Sequence, residues 1–193
     1  RVIDVMTKFL KFLKSMLQEK PLFDWGKFRA AELILTIYWL YQKKNEEWLL
    51  DVAELVQKQG YAWSEHFSNF KYTKKSLDVK YETHVVNNAM GIKAPAVWYR
   101  QSNSENDLKA VYKAIENLDK FHGQVSGVFS GDEHLSGKNP SQGTELCAVV
   151  EYMFSLEEVI SILGDSKFAD RLEKITFNAL PGTMTPDMWA HQY

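Results

Sequence analysis

The stretch Asn45-Glu46-Glu47-Trp48-Leu49-Leu50-Asp51-Val52-Ala53-Glu54-Leu55 decides the fold, because its pattern returns twice at a fixed interval. Trp48, Leu108 and Phe168 stand 60 residues apart, and Val52, Tyr112 and Leu172 keep that register. Leu55, Ile115 and Ile175 keep it as well. Asn45, Glu105 and Asp165 lie three positions ahead of each apolar set, where a polar cap belongs. Amphipathic helices share such spacing in any case, so the interval carries the argument rather than the pattern. It predicts three stacked helical hairpins with long loops between successive pairs, an all-α arrangement. A closed toroid of such hairpins needs about twice this chain, which makes residues 1–193 read as a fragment of one.

Outward from that stretch, helical periodicity covers Val2 to Leu17, Trp25 to Lys44 and Asn45 to Gln59, the last closed by Gly60. It resumes near His84, runs from Asn106 to about Phe121, then from Thr144 to Leu163 and from Lys167 to Leu180. Tyr61 to Glu82 is polar and aromatic without a clear period, and Gly123 to Gly143 reads as a Gly-rich loop. Only Val125 to Phe129 and Leu77 to Tyr81 look strand-like. The chain opens on Arg1 already inside a helix and closes on the aromatic run Asp187 to Tyr193, which adds to the expectation of a fragment.

Composition narrows the partners. The 193 residues carry 23 Lys and Arg against 25 Asp and Glu, a net charge of −2. That balance argues against nucleic acid or an anionic membrane, both of which need a basic surface. The strongest apolar run, Leu33 to Leu40, is too short to span a bilayer. A single cysteine allows neither an internal disulfide nor an all-thiolate zinc site, and leaves periplasmic, extracellular and cytoplasmic settings open. It leaves a homo-oligomer open too. The 11 Phe, 9 Tyr and 6 Trp suit either a large core or a carbohydrate-contacting cleft.

The interval also places candidate site residues. Asp24, His84 and Thr144 share one offset, at the start of the first helix of each pair. Helix N-termini gathered at one mouth favour carboxylates and sugar oxygens. Gly131-Asp132-Glu133-His134-Leu135-Ser136-Gly137 sets two acids and a His between glycines, in a loop expected to fold over that mouth. It reads either as a solvated turn or as the carrier of a general acid. Thr144 is a natural N-cap, with Glu145 in the first turn and Cys147 expected as a small buried thiol. Side chains two apart on a helix diverge by about 200°. Glu145 and Cys147 therefore converge on a metal only if Glu145 sits at the helix start. His84 and Asn87, three apart, are candidates for sugar hydroxyls or for simple capping, and Trp25 and Trp63 for a stacking platform or for core.

Three motifs in order, His84-Val85-Val86-Asn87-Asn88-Ala89-Met90, Ser130-Gly131-Asp132-Glu133-His134 and Gln142-Gly143-Thr144-Glu145-Leu146-Cys147-Ala148, resemble glycoside hydrolase family 127. These are the β-L-arabinofuranosidase-like enzymes. The stretch Gly164 to Leu180 is similar to that family's helix after the site, and the likeness runs from about Asp24 to the end. The resemblance implies an (α/α)6 catalytic barrel followed by β-sandwich domains, with about half the barrel in these 193 residues. It implies a retaining exo-glycosidase acting on plant-type glycans in a bacterial setting, with a zinc-bound cysteine nucleophile and a Glu acid/base. Carried over, Glu133 matches the acid/base, with Asp132 as the alternative. Glu145 and Cys147 match two zinc ligands, and His84 a substrate contact. The nucleophilic cysteine and its neighbour then belong beyond Tyr193. The competing expectation is a carbohydrate-binding or helical-repeat interaction module without hydrolysis.

Overall fold

Asn45 (φ 51°), Asn103 (φ 49°) and Gly164 (φ 68°) each end a helix in the left-handed conformation. Each marks the turn of a helical hairpin. The computed structural model describes residues 1–193 and divides them into two units, 1–61 and 62–193.

The first unit holds α1 (Val2–Glu19), α2 (Asp24–Phe28), α3 (Ala30–Lys44) and α4 (Trp48–Gln59). In α3 Ile34, Ile37, Tyr38 and Leu40 are buried, and in α4 Leu49, Val52, Ala53 and Val56. These stripes pack the two helices into a hairpin, with α1 lying on both. The expected long helix from Trp25 is broken at Arg29, whose φ of −106° ends α2 before α3 begins. Gln59 fastens the α1–α2 connection: its side-chain oxygen accepts from the Leu22 N–H at 2.9 Å and its amide donates to the Leu17 carbonyl at 2.8 Å.

The second unit holds α5 (Trp63–Ser68), a 3₁₀ turn (Tyr81–Thr83), α6 (Val85–Gly91), α7 (Ala94–Ser102), α8 (Glu105–His122), α9 (Leu146–Leu163) and α10 (Ser166–Gly182). Every residue of α6 is buried, and this helix packs on α9, which in turn packs on α10. Trp63 is core, its indole lying against Gly91, where any Cβ would meet the ring at 2.6 Å. Asp107 ties α5 to α8, accepting from the Ser64 hydroxyl at 2.6 Å and the Ser102 hydroxyl at 2.7 Å. The chain has no strands, only isolated β-bridges, so neither strand-like stretch forms one. No helix is long and apolar enough to cross a membrane.

The 60-residue interval lies between two unequal ones. Leu49, Val52, Ala53 and Val56 match the buried Asp107, Ala110, Val111 and Ala114 at 58 residues, the spacing of Asn45 to Asn103. Phe168, Ile175 and Ala179 then match Asp107, Ala114 and Leu118 at 61, the spacing of Asn103 to Gly164. Tyr112, which the even interval pairs with the buried Val52, is 38% exposed. The cap expectations shift likewise. Asp165 is a true N-cap, accepting from the Lys167 N–H at 3.0 Å, whereas Asn45 ends α3 and Glu105 already lies inside α8.

Candidate active site

Two helix starts in the second unit are joined by one loop. His84 is the N-cap of α6, in extended conformation (ψ 128°), and Glu145 is the N-cap of α9 (ψ 136°). The loop residues Gly131 to Leu135 run between them. On one side the Val85 N–H donates to the Glu133 carbonyl and the Leu135 N–H to the Thr83 carbonyl, both at 2.9 Å. On the other the Gly131 N–H donates to the Gly143 carbonyl at 2.8 Å and the Glu145 N–H to the Gly131 carbonyl at 3.2 Å. Backbone pairing thus sets the register of Asp132, Glu133 and His134 against both helix starts.

Glycine is needed twice here. A Cβ on Gly131 would strike Val85 and the His134 carbonyl, and one on Gly143 would strike the Asp132 carboxylate. Asp132 therefore lies over Gly143 and is exposed, while Glu133 turns to the other side. The pair left open by the sequence separates in this way.

Glu133 meets His84 across the loop, Oε2 to Nε2 at 3.1 Å, with the His side chain 10% exposed and the Glu 46%. The tautomer follows from the partners. His84 Nδ1 accepts the Asn87 N–H at 3.4 Å, so the proton sits on Nε2 and is donated to Glu133. The other oxygen, Oε1, accepts from the Tyr193 hydroxyl. That hydrogen bond and the Glu133 charge raise the Tyr193 pKa, with smaller contributions from Glu145 and Cys147. The acid on the loop and the Glu145–Cys147 pair are therefore electrostatic neighbours of one phenol. His134 stands edge-on to His84, ring centres 5.8 Å apart, and its Nδ1 lies 3.0 Å from the Thr83 hydroxyl.

Cys147 is exposed, which corrects the expectation of a buried core thiol. It sits at the open end of α9, while Ala148 and Val149 turn inward. Thr144 is not the N-cap; that position falls to Glu145, whose extended backbone frees its side chain from the helical phase. Glu145 and Cys147 converge as a result. Partial desolvation of the sulfur first, then the Glu145 charge and a hydrogen bond to it, push the thiol pKa up. A carboxylate oxygen and a sulfur at one place suit zinc as two of its four ligands. No group of three metal-capable side chains forms in the chain, so the donor set fits half of a tetrahedral site.

Asn87 is fully buried, and its amide donates to the Tyr81 carbonyl at 2.9 Å. It stands behind the His84 cap, with no surface to offer a sugar. Trp25 belongs to the first unit, 44% exposed, with the Arg29 guanidinium 4.6 Å from its ring centre. Tyr193 escaped the sequence reading. It lies 60 residues from Glu133, and no local pattern links the two.

The sequence matches the family described as "Beta-L-arabinofuranosidase, GH127 catalytic domain" over residues 1–193. The chain belongs to this family. A solved structure described as a sugar epimerase from a ruminal bacterium is similar in fold, with a TM-score of 0.55 and 17% identity over 84% of this chain. The match spans 44% of that protein's length. The likeness is one of architecture, helical hairpins of the α/α-barrel kind. No curated protein matches the sequence.

Proposed function

We propose that the full protein is a retaining exo-acting β-L-arabinofuranosidase and that residues 1–193 form part of a single (α/α)6 catalytic barrel supplying its acid/base. Family membership supports a glycoside substrate. The observation that carries the reading is the Glu133 carboxylate, seated between the His84 Nε2–H and the Tyr193 hydroxyl beside the Glu145–Cys147 pair.

Glycoside cleavage needs a proton delivered to the leaving oxygen and, in the second half of a retaining reaction, removed from water. Glu133 does both by passing between acid and carboxylate. Its two oxygens are not equivalent. The His84 Nε2–H can only donate, so Oε2 remains an acceptor. The Tyr193 hydroxyl can turn from donor to acceptor, so Oε1 is the oxygen that holds the proton. His84 orients the carboxylate and presents its ring edge to the sugar, and Asn87 fixes His84 from behind. Glu145 and Cys147 would hold zinc, whose positive charge would favour thiolate over thiol. The nucleophile is assigned to no residue of this chain.

The test is Glu133→Gln in the full-length protein. Turnover of an alkyl β-L-arabinofuranoside, whose leaving group needs a proton, falls by roughly 10²–10⁴, the usual contribution of a general acid/base. Undiminished turnover removes Glu133 from the mechanism.

A further inference from the structure

His122, the last residue of α8, is fully buried and lies outside the candidate site. Both ring nitrogens are engaged by backbone groups. Nε2 is 2.6 Å from the Tyr72 carbonyl, and Nδ1 is 2.9 Å from the Gly137 N–H. A carbonyl only accepts and an amide N–H only donates. The ring is therefore neutral, protonated on Nε2 and bare on Nδ1.

Gly137 closes the loop that carries Glu133. Its carbonyl accepts from the Ser130 hydroxyl at 2.5 Å, and the Ser136 N–H donates to the Ser130 carbonyl at 3.2 Å. The Ser130 N–H returns to the His122 carbonyl at 2.9 Å. One residue thus holds both ends of the loop, by its own backbone at Ser130 and by its ring at Gly137. Through Tyr72 it also fastens the 69–80 segment, whose Ser76 N–H donates to the Leu135 carbonyl at 2.8 Å.

We propose that His122 is a positioning residue for the Glu133 loop, and that a proton on Nδ1 removes its hold on Gly137 and loosens the loop in acid. A second N–H on the ring would face the Gly137 N–H, two donors with no acceptor between them. The inference rests on the reading of Glu133 as the acid/base, for its bearing on turnover only.

The surroundings of the ring keep it neutral. From the 69–80 segment Phe70 stands edge-on, and the Tyr72 phenol is turned away to Glu82. His66 of α5 stacks on Tyr72. On α8 Asp119 is committed to Arg171 of α10, and the loop presents Ser130 and Ser136. No charged group is among the causes that set the His122 pKa, which burial lowers and the Tyr72 carbonyl partly restores. The release therefore falls below the ordinary His range.

Hydrogen exchange over residues 130–137 tests this in the full-length protein, corrected for intrinsic rates, at pH 7 and pH 4.5. Exchange in the native protein rises at least tenfold at the lower pH. His122→Asn keeps an acceptor for Gly137 and does not titrate, so its loop exchanges alike at both values. His122→Gln reaches Tyr72 without accepting from Gly137, so its loop is open at both. Loop protection that ignores pH in the native protein, or acid opening that persists in His122→Asn, overturns the proposal. Should His122→Asn fail to fold, ring ¹⁵N shifts of the native protein decide, since a proton on Nδ1 at neutral pH contradicts it. If the loop opens in acid while Glu133→Gln remains active, the Glu133 reading fails and His122 keeps its role.

Discussion

His84 and Glu133 lie 49 residues apart in the chain and 3.1 Å apart in the fold, the imidazole Nε2–H donating to the carboxylate. A hydrogen bond to a charged group contributes about 1.5–3 kcal/mol. His84→Ala removes the donor that orients Glu133. It should lower kcat for an aryl furanoside roughly ten- to a hundredfold, the rate equivalent of that energy. A larger effect on KM than on kcat would point to sugar binding as the main role of His84.

Gly143 has no room for a methyl group, because the Asp132 carboxylate occupies that space. Gly143→Ala must displace the Asp132 carboxylate from its place over Gly143. Overpacking of this kind costs about 1–3 kcal/mol, which lowers Tm by about 2–4 °C per kcal/mol in a chain of this size. Thermal unfolding measures it, and an unchanged Tm would mean the loop adapts freely.

Glu145 is one reason the Cys147 thiol resists ionisation, after partial desolvation. In metal-free protein at pH 8, iodoacetamide should therefore modify Cys147 more slowly than an unperturbed thiol, since only the thiolate reacts. Glu145→Gln removes a charge and restores part of the rate. Zinc protects the thiol in the full-length protein, and equal rates with and without zinc would remove Cys147 from the metal site.

How far all this was legible from the sequence depends on what the residues report. The hairpins were legible because burial repeats along α4, α8 and α10. The interval was misjudged by one or two residues, because left-handed Asn45 and Asn103 look polar and cap-like in any position. Glu145 and Cys147 were legible as a conditional pair, converging only if Glu145 stood at the helix start, and the family resemblance then marked them as ligands. Their convergence depends on the extended backbone at Glu145, and no spacing rule predicts it. Tyr193 and His122 were missed because they act across 60 and 15 residues of intervening chain, Tyr193 through its hydroxyl to a distant carboxylate and His122 through a distant backbone N–H, and neither contact leaves a local pattern.

His66 makes a pH prediction separate from the site. Desolvation lowers its pKa to about 4, and its Nε2 lies 3.3 Å from the Asn88 side-chain oxygen. In the unfolded chain it titrates near 6.5. The unfolded state thus binds the extra proton first as pH falls. The stability contribution of neutral His66 is complete above pH 6.5 and is lost progressively down to about pH 4. Urea unfolding across that window should show stability falling with pH, and His66→Gln should flatten the slope. An unaltered slope would assign the proton uptake to other groups.

If Glu133 delivers the proton to the leaving oxygen, the effect of its loss must depend on the leaving group. A dinitrophenolate departs without protonation, whereas an alkoxide needs it. With Glu133→Gln in the full-length protein, kcat/KM should fall little for a dinitrophenyl β-L-arabinofuranoside and by roughly 10²–10⁴ for an alkyl one. An equal loss on both substrates would contradict the assignment.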